Sequence, residues 1–422
     1  MERAQDVLDS GHLPNDHEDA RLIRWYQGRG GDVNALIYLS LGETWQAVAP
    51  GLAATLATTL PGYAHGYTLS PYGLPALREA LLRYIVRTHH LPPPDATSFD
   101  VCVSQSGTRA AMSDFGHLLL DLADTPGGSP TALIPVPGWD YAGVLAPLGY
   151  RLLPYGLRRE HGWQPDVAEV RTLLHLAGPG GLLVLNPQHN PTGVECAADT
   201  VAALVEASVG HQAAVLLDDA YYALHAPDRS PTNALHVLLQ ATQGTSVPWL
   251  ATRTLGKQFH CNGWGIGALT GRPAVLAGMA RIMQRRSYGT ALPLQAAMAT
   301  WLGTPEPDAF THRLRHTYAR ARRDVTRWLR DTLGFPAHAV HPGSCSAYLR
   351  FQIPERFVRD GSEDHYRRLC LTAGVLPDAG SMTRALRLPH EPEEVYVRLF
   401  LGQPGPVLNE AVNRMARAGL TW

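Results

Sequence analysis

From Phe99 to Arg285 short apolar runs take turns with helical stretches, and this alternation leaves few folds open to the chain. The runs at 99–104, 132–136, 151–154, 182–186, 213–218, 249–252 and 266–270 read as strands. Between or after them, the periodic stretches at 108–122, 141–148, 166–176, 197–209 and 274–285 read as helices. Such alternation predicts an α/β fold built on a largely parallel sheet with helices on both faces. The strand ends then deliver their loops to one shared edge, where ligands bind.

The flanks define the domain organisation. Residues 1–35 are polar and broken by Gly and Pro, and read as an N-terminal arm. A short strand at 36–43, a helix at 50–60, a turn-rich loop at 66–73 and a helix at 74–88 lead into the alternating region, giving a large domain over 36–304. After Pro305 a long arginine-rich helix at 308–333 stops at Gly334. Strand-like runs at 346–353 and 395–401 and a closing helix at 408–418 complete a smaller α+β domain over 305–422.

A net charge of -1 over 422 residues argues against electrostatic binding to nucleic acid or to a membrane surface, both of which rest on a basic excess. The expected partner is a small molecule. Five cysteines (Cys102, Cys196, Cys261, Cys345 and Cys370) are far apart and never form a C-x-x-C pair, which reads as reduced thiols in the cytoplasm and no metal site. The first twenty residues lack the apolar core of a signal peptide, and no apolar run is long enough to cross a bilayer.

Among 36 basic side chains only Lys257 is a lysine. Arginine stays charged at any accessible pH, whereas a lysine amine can lose its proton, form a Schiff base with a carbonyl and shuttle protons. A stray lysine belongs on a charged helix face. This one sits in Thr254-Leu255-Gly256-Lys257-Gln258-Phe259, which favours a catalytic role.

Three further stretches carry chemistry. Ser106-Gly107-Thr108 follows a strand and opens a helix, aiming backbone N–H groups and two hydroxyls at one point, an anion cup suited to a phosphate. Many strand-to-helix turns hold Ser and Gly for local reasons alone, so this signal needs company. The octapeptide Asn186-Pro187-Gln188-His189-Asn190-Pro191-Thr192-Gly193 ends an all-apolar run, and its Asn-Pro pairs hold Asn190 at the strand end with an amide to donate. Asp218-Asp219-Ala220-Tyr221 ends another apolar run. A buried carboxylate is costly unless paired, so Asp218 is expected to face a cation, Asp219 to be its solvated neighbour or a cap, and Tyr221 to bring a phenol to the same pocket.

In this order and spacing, Ser106-Gly-Thr, Trp139, Asn190-Pro-Thr-Gly, Asp218-x-Ala-Tyr221, Lys257 and Arg398 resemble the fold-type I pyridoxal 5'-phosphate enzymes, specifically the class I and II aminotransferases. The resemblance runs from about Leu36 to the end of the chain. It implies a large domain with a mostly parallel seven-stranded sheet, a smaller α+β C-terminal domain and a homodimer. By the resemblance Lys257 carries the cofactor as an internal aldimine and Asp218 keeps the pyridinium nitrogen protonated. Asn190 and Tyr221 hold the cofactor's phenolate oxygen, Trp139 stacks on the ring, and Ser106, Gly107, Thr108 and Thr254 bind the phosphate. Arg398 forks onto the substrate α-carboxylate, Gly42 lies on the substrate side, and Tyr67, or else Tyr72, reaches the neighbouring subunit's phosphate. An ordinary core aromatic at Trp139 and an internal ion pair at Arg398 are the plainer alternatives.

One departure stands out. The family places an arginine eight residues after the lysine to clamp the phosphate, and here that position is Gly265. Candidates to compensate are Arg109, Arg253, Arg285 and Arg286 beside Thr254. The missing side chain also opens room beside the phosphate for a bulky or second substrate.

The implied activity is an aminotransferase acting on an α-amino acid through a Cα carbanion. The same fold supports β/γ-elimination, cyclisation or C–C bond formation in specialised metabolism, with S-adenosylmethionine a plausible substrate, as in relatives such as aminocyclopropane-carboxylate synthase and capreomycidine synthase. A non-catalytic regulator that only binds the cofactor would carry a winged-helix unit, for which the 35-residue arm is too short. The substrate side chain is not legible. Residues at 43–45, 65–72 and 380–390 would read it, and Arg384 and Arg387 in the last loop suit either an acidic group or solvent.

Overall fold

The computed structural model describes residues 17–44, 47–58, 61–94, 98–123, 130–287, 289, 291–380 and 395–422. Its strands are β1 (Ile37–Leu39), β2 (Asp100–Ser104), β3 (Thr131–Val136), β4 (Arg151–Gly156), β5 (Leu182–Leu185), β6 (Ala214–Asp218), β7 (Trp249–Thr254), β8 (Gly267–Gly271), β9 (Val340–His341), β10 (Tyr348–Gln352), β11 (Val375–Ala379) and β12 (Tyr396–Phe400). The helices are α1 (Glu18–Gln27), α2 (Leu52–Thr58), α3 (Pro75–Thr88), α4 (Gly107–Leu122), α5 (Tyr141–Leu145), α6 (Val167–Ala177) and α7 (Ala198–Gly210), then α8 (Ala234–Ala241), α9 (Gly256–Phe259), α10 (Pro273–Ser287), α11 (Leu292–Leu302), α12 (Glu306–Asp331), α13 (Asp364–Thr372) and α14 (Gly405–Arg417).

Seven strands form the larger sheet in the order β2-β8-β7-β6-β5-β3-β4. The pairs from β7 through β6, β5 and β3 to β4 are parallel, and β8 runs antiparallel between β2 and β7. The strand period of two explains why both faces are covered. Leu183, Leu185, Val215, Leu217, Trp249 and Ala251 point into one core with α3, α6, α7, α8 and α11. Their neighbours Leu182, Val184, Ala214, Leu216 and Leu250 point into another, closed by α4, α5 and α10. Each such leucine contributes about 1.5–3 kcal/mol by leaving water, which is why runs without a polar face are stable only here.

A second sheet has the order β1-β11-β12-β10-β9. Against it lies α12, whose Leu314, Tyr318, Ala321, Val325 and Leu329 recur every three or four residues and form its buried stripe. The strand expected at 36–43 is shorter, and it pairs in parallel with β11 rather than with the large sheet. Ile37 and Leu39 bury into the small unit's core, so a boundary at residue 36 assigns to the large domain a strand whose hydrogen bonds belong to the small one. The described part of the N-terminal arm is also ordered: Asp19 in α1 is buried, accepts from Tyr38 Oη at 2.6 Å and pairs with Arg367 at 2.7 Å. Strand β11 and helices α8, α11 and α13 have no counterpart in the sequence reading.

Candidate active site

The parallel strands β5, β6 and β7 end side by side, and the turns after them bring chemistry to one edge. After β7 the chain turns at once into α9, and Gly256 permits the turn because a Cβ there would lie 2.8 Å from Asn262 Cα. Lys257 follows, half-buried, with its Nζ donating to Leu41 O at 3.4 Å. Three successive carbonyls of the segment after β1 thread this edge. Ser40 O accepts from Arg398, Leu41 O from Lys257 and Gly42 O from Asn262. Gly42 takes φ +70°, and a Cβ there would meet Tyr348 Oη at 2.5 Å, so the crossing requires glycine.

Asp218 closes β6 and is buried. Tyr141 Oη donates to its Oδ2 at 2.7 Å, while Oδ1 has no hydrogen-bond partner among the described residues. Burial raises its pKa to about 6; the bonds from Tyr141 and the Ala220 N–H work against that rise and the charge of Asp219 adds to it. Asn186 ties the two strand ends together, donating from Nδ2 to Asp218 O at 2.7 Å and accepting the Asn190 N–H at 2.9 Å. Asp219 corrects the sequence expectation of a solvated neighbour. It is buried, and its carboxylate lies 3.0 Å from His89 Nε2 on the far side of the strand.

At the start of α4, Ser106 is exposed and makes no capping bond, and Gly107 adopts φ +81°. The Gly107 N–H donates to Gly265 O at 2.6 Å, which places Gly265 against this helix N-terminus. A Cβ at Gly265 would lie 3.6 Å from Gly107 N, so any side chain there would start beside the anion cup. Thr108 and Thr254 are half-buried, and the Thr108 methyl lies against Gly267, opposite Thr254 in the β7–β8 register.

The structure disposes of the candidate arginines differently. Arg253 is buried on the other face of β7, bonded to Thr88, His89 and Gln258 and stacked at 5.1 and 5.2 Å on Tyr84 and Tyr222. Arg286 pairs with Asp114 at 2.9 Å, and Arg285 is exposed. Arg109 stays near the cup, 4.3 Å over the Trp139 ring and 2.9 Å from Asp140. Trp139 meets Tyr141 edge to face at 5.3 Å, which links it to Asp218.

Arg398, in β12, is fully buried and joins the two units. Its Nη1 donates to Asn190 Oδ1 at 2.6 Å, its plane lies 3.8 Å over Tyr348, and it forms an ion pair with Asp378. Tyr221 Oη donates to Tyr348 Oη at 3.4 Å, and burial keeps the Tyr221 proton on. The turn carrying Asn190 is docked through Gly193 O, which accepts from Ser344 and Cys345 N–H at 2.7 and 3.0 Å. Tyr67 is 81% exposed. Tyr72 instead packs half-buried on the core beside α4. Trp45, Arg384 and Arg387 lie outside the described residues. Sequence reasoning missed Tyr141, Asn262, Tyr348 and Asp378, and the strand-tying role of Asn186, all of which depend on contacts made by folding.

A family model, aminotransferase class I and II, matches residues 60–355. The chain is similar to a probable N-succinyldiaminopimelate aminotransferase of Mycobacterium tuberculosis, 28% identical over 56% of this chain and 57% of that one, so it spans little more than half of that relative's length. It is also similar to 4-dedimethylamino-4-oxo-anhydrotetracycline transaminase of Streptomyces rimosus, 28% identical over 72% of this chain and 75% of the other. Among solved structures an aspartate aminotransferase variant of Thermus thermophilus superposes with a TM-score of 0.77 at 22% identity, covering 95% of each chain. That likeness shows the α/β fold, with its mostly parallel large sheet and smaller mixed one.

Proposed function

The chain belongs to the class I and II aminotransferases, and from that premise we propose that it transfers an amino group between an amine and a carbonyl compound with pyridoxal 5'-phosphate. Asp218 carries this reading. A buried carboxylate with one oxygen lacking a partner among the described residues, held near pKa 6 by burial, fits a cationic ring nitrogen, which would supply the missing contact. The phosphate fits the start of α4, where Ser106, Gly107 and Thr108 gather at a helix N-terminus with Thr254 nearby. When bound, the cofactor supplies an aldehyde carbon for the amine and a ring that withdraws electrons from the neighbouring carbon.

The residues of the chain do the rest. Lys257 Nζ is the group that holds the cofactor and then takes and returns a proton, a role open to lysine and closed to arginine. Tyr141 orients the Asp218 carboxylate through its 2.7 Å bond, and Asn186 fixes the strand ends that carry Asp218 and Asn190. Asn190 and Tyr221 would hold the cofactor's ring oxygen, and Trp139 would cover one ring face. Arg109 is the arginine best placed to offset Gly265. The same reading assigns a homodimer: Tyr63, Tyr67 and Leu69 are 61%, 81% and 94% exposed, and a partner would cover them. A monomer in sedimentation velocity would contradict the dimer. Five buried free cysteines support a cytoplasmic location.

Gly265 favours a second reading, in which the open side of the cup admits a bulky reactant and the enzyme eliminates, cyclises or joins carbon instead of transferring nitrogen. Anaerobic incubation of the cofactor-loaded protein with a panel of amines, α-amino acids and S-adenosylmethionine separates the two. Conversion to the pyridoxamine form with release of an oxo product supports amino transfer. Loss of a leaving group without pyridoxamine overturns it.

A further inference from the structure

Resting on the amino-transfer reading, we propose that Asp378 sets substrate class: by holding Arg398 in an internal ion pair, it selects amines and carbonyl compounds whose reacting carbon bears no carboxylate. Asp378 and Arg398 stand directly opposite each other on the antiparallel strands β11 and β12, the arrangement in which side chains on one face meet. Both are buried. The Arg398 side chain is 1% exposed and that of Asp378 11%. Both Asp378 oxygens are engaged, Oδ2 by Arg398 and Oδ1 by the Ala379 N–H at 2.8 Å, so the carboxylate is fixed rather than swinging.

An arginine recognises a substrate carboxylate by offering positive charge and a pair of N–H donors. Here the charge is cancelled by Asp378, one terminal nitrogen is directed at Asn190 Oδ1, and the other at Asp378 and Ser40 O. A second carboxylate would make two anions on one buried cation, and a buried group of net negative charge is disfavoured by desolvation as well as repulsion. Beside Arg398 stand the phenols of Tyr221 and Tyr348 and the bare backbone of Gly42, none of which adds a cation for a carboxylate. A hydrogen or carbon substituent suits that lining.

The test compares L-alanine with 2-aminopropane, which replaces the carboxylate by a methyl group, in single-turnover reactions of cofactor-loaded protein. Propionate binding by calorimetry gives a readout independent of activity. Wild type is expected to favour 2-aminopropane and to bind propionate weakly. Asp378→Gly and Asp378→Asn are expected to shift the preference toward alanine and to tighten propionate by about ten-fold or more. The Asn variant keeps the side chain's shape, so it decides the matter where the Gly variant does not fold. Wild type preferring alanine, with propionate affinity unchanged in the Asn variant, overturns the proposal. A propionate response as expected with no amine converted by any variant leaves Asp378 as the carboxylate-excluding residue and removes amino transfer instead.

Discussion

Tyr141 and Asp218, 77 residues apart, share a 2.7 Å hydrogen bond that fixes one carboxylate oxygen, while the other has no hydrogen-bond partner among the described residues. Replacing Tyr141 by Phe strips that bond and leaves both oxygens without a donor from this side chain. A hydrogen bond to a charged group contributes about 1.5–3 kcal/mol, so Tyr141→Phe is expected to weaken cofactor binding by about ten-fold or more. Titrating the cofactor into the stripped protein at pH 8 and following its absorbance measures this; an unchanged dissociation constant would remove Tyr141 from the site.

The same carboxylate makes a pH prediction for the cofactor-free protein. The folded pKa of Asp218 is raised to about 6, above its value in the unfolded chain, so its contribution favours folding at low pH and is lost as pH rises through 6. Fully ionised, it costs up to about 3 kcal/mol. Asp218→Asn is therefore expected to stabilise the cofactor-free protein at pH 8 and to give little change at pH 4. Denaturant melts at both pH values check the sign, and a variant less stable than wild type at pH 8 would contradict it.

Arg253 neighbours Thr254 in sequence yet belongs to the core. Strand alternation sends it to the face opposite Thr254, among Tyr84, Thr88, His89, Tyr222 and Gln258. Arg253→Ala removes the guanidinium that bonds Thr88, His89 and Gln258 and stacks on Tyr84 and Tyr222, and is expected to cost about 3–5 kcal/mol of stability, read from a denaturant midpoint. Cofactor affinity of the folded fraction should be nearly unchanged; a large loss of affinity without destabilisation would place Arg253 at the phosphate after all.

Gly265→Arg puts a guanidinium beside the anion cup. The backbone at φ +62° makes a side chain costly, by about 1 kcal/mol or more, so the cofactor-free variant should melt earlier. With cofactor the order is expected to reverse, through tighter phosphate binding by about ten-fold, measured as slower release. Slower release together with lost turnover of bulky amines would assign the space at Gly265 to substrate.

Much of the site is legible in the sequence because its groups sit in turns directly after strands. Asp218 ends an apolar run and Lys257 and Asn190 each follow one by a few residues, and position relative to the run fixes position at the sheet edge. The unread part depends on long-range pairing. Asp378 lies in β11, whose Val375-Leu376-Pro377-Asp378-Ala379 contains two residues that strands disfavour, so nothing local marks it as the middle of a sheet. β1 looks like the first strand of the large domain until its pairing with β11 is known. Asp219 reads as a surface residue because its partner, His89, lies at the end of a helix far back in the chain.

Amino transfer turns on a covalent bond between Lys257 and the cofactor, and a chain with a single lysine lets one measurement decide it. Borohydride reduction of the cofactor-loaded protein, followed by peptide mass mapping, should place one phosphopyridoxyl group on the peptide containing Lys257. Wild-type protein that binds the cofactor but yields no modified Lys257 peptide, or carries the group only at its N-terminal amine, would rule that bond out.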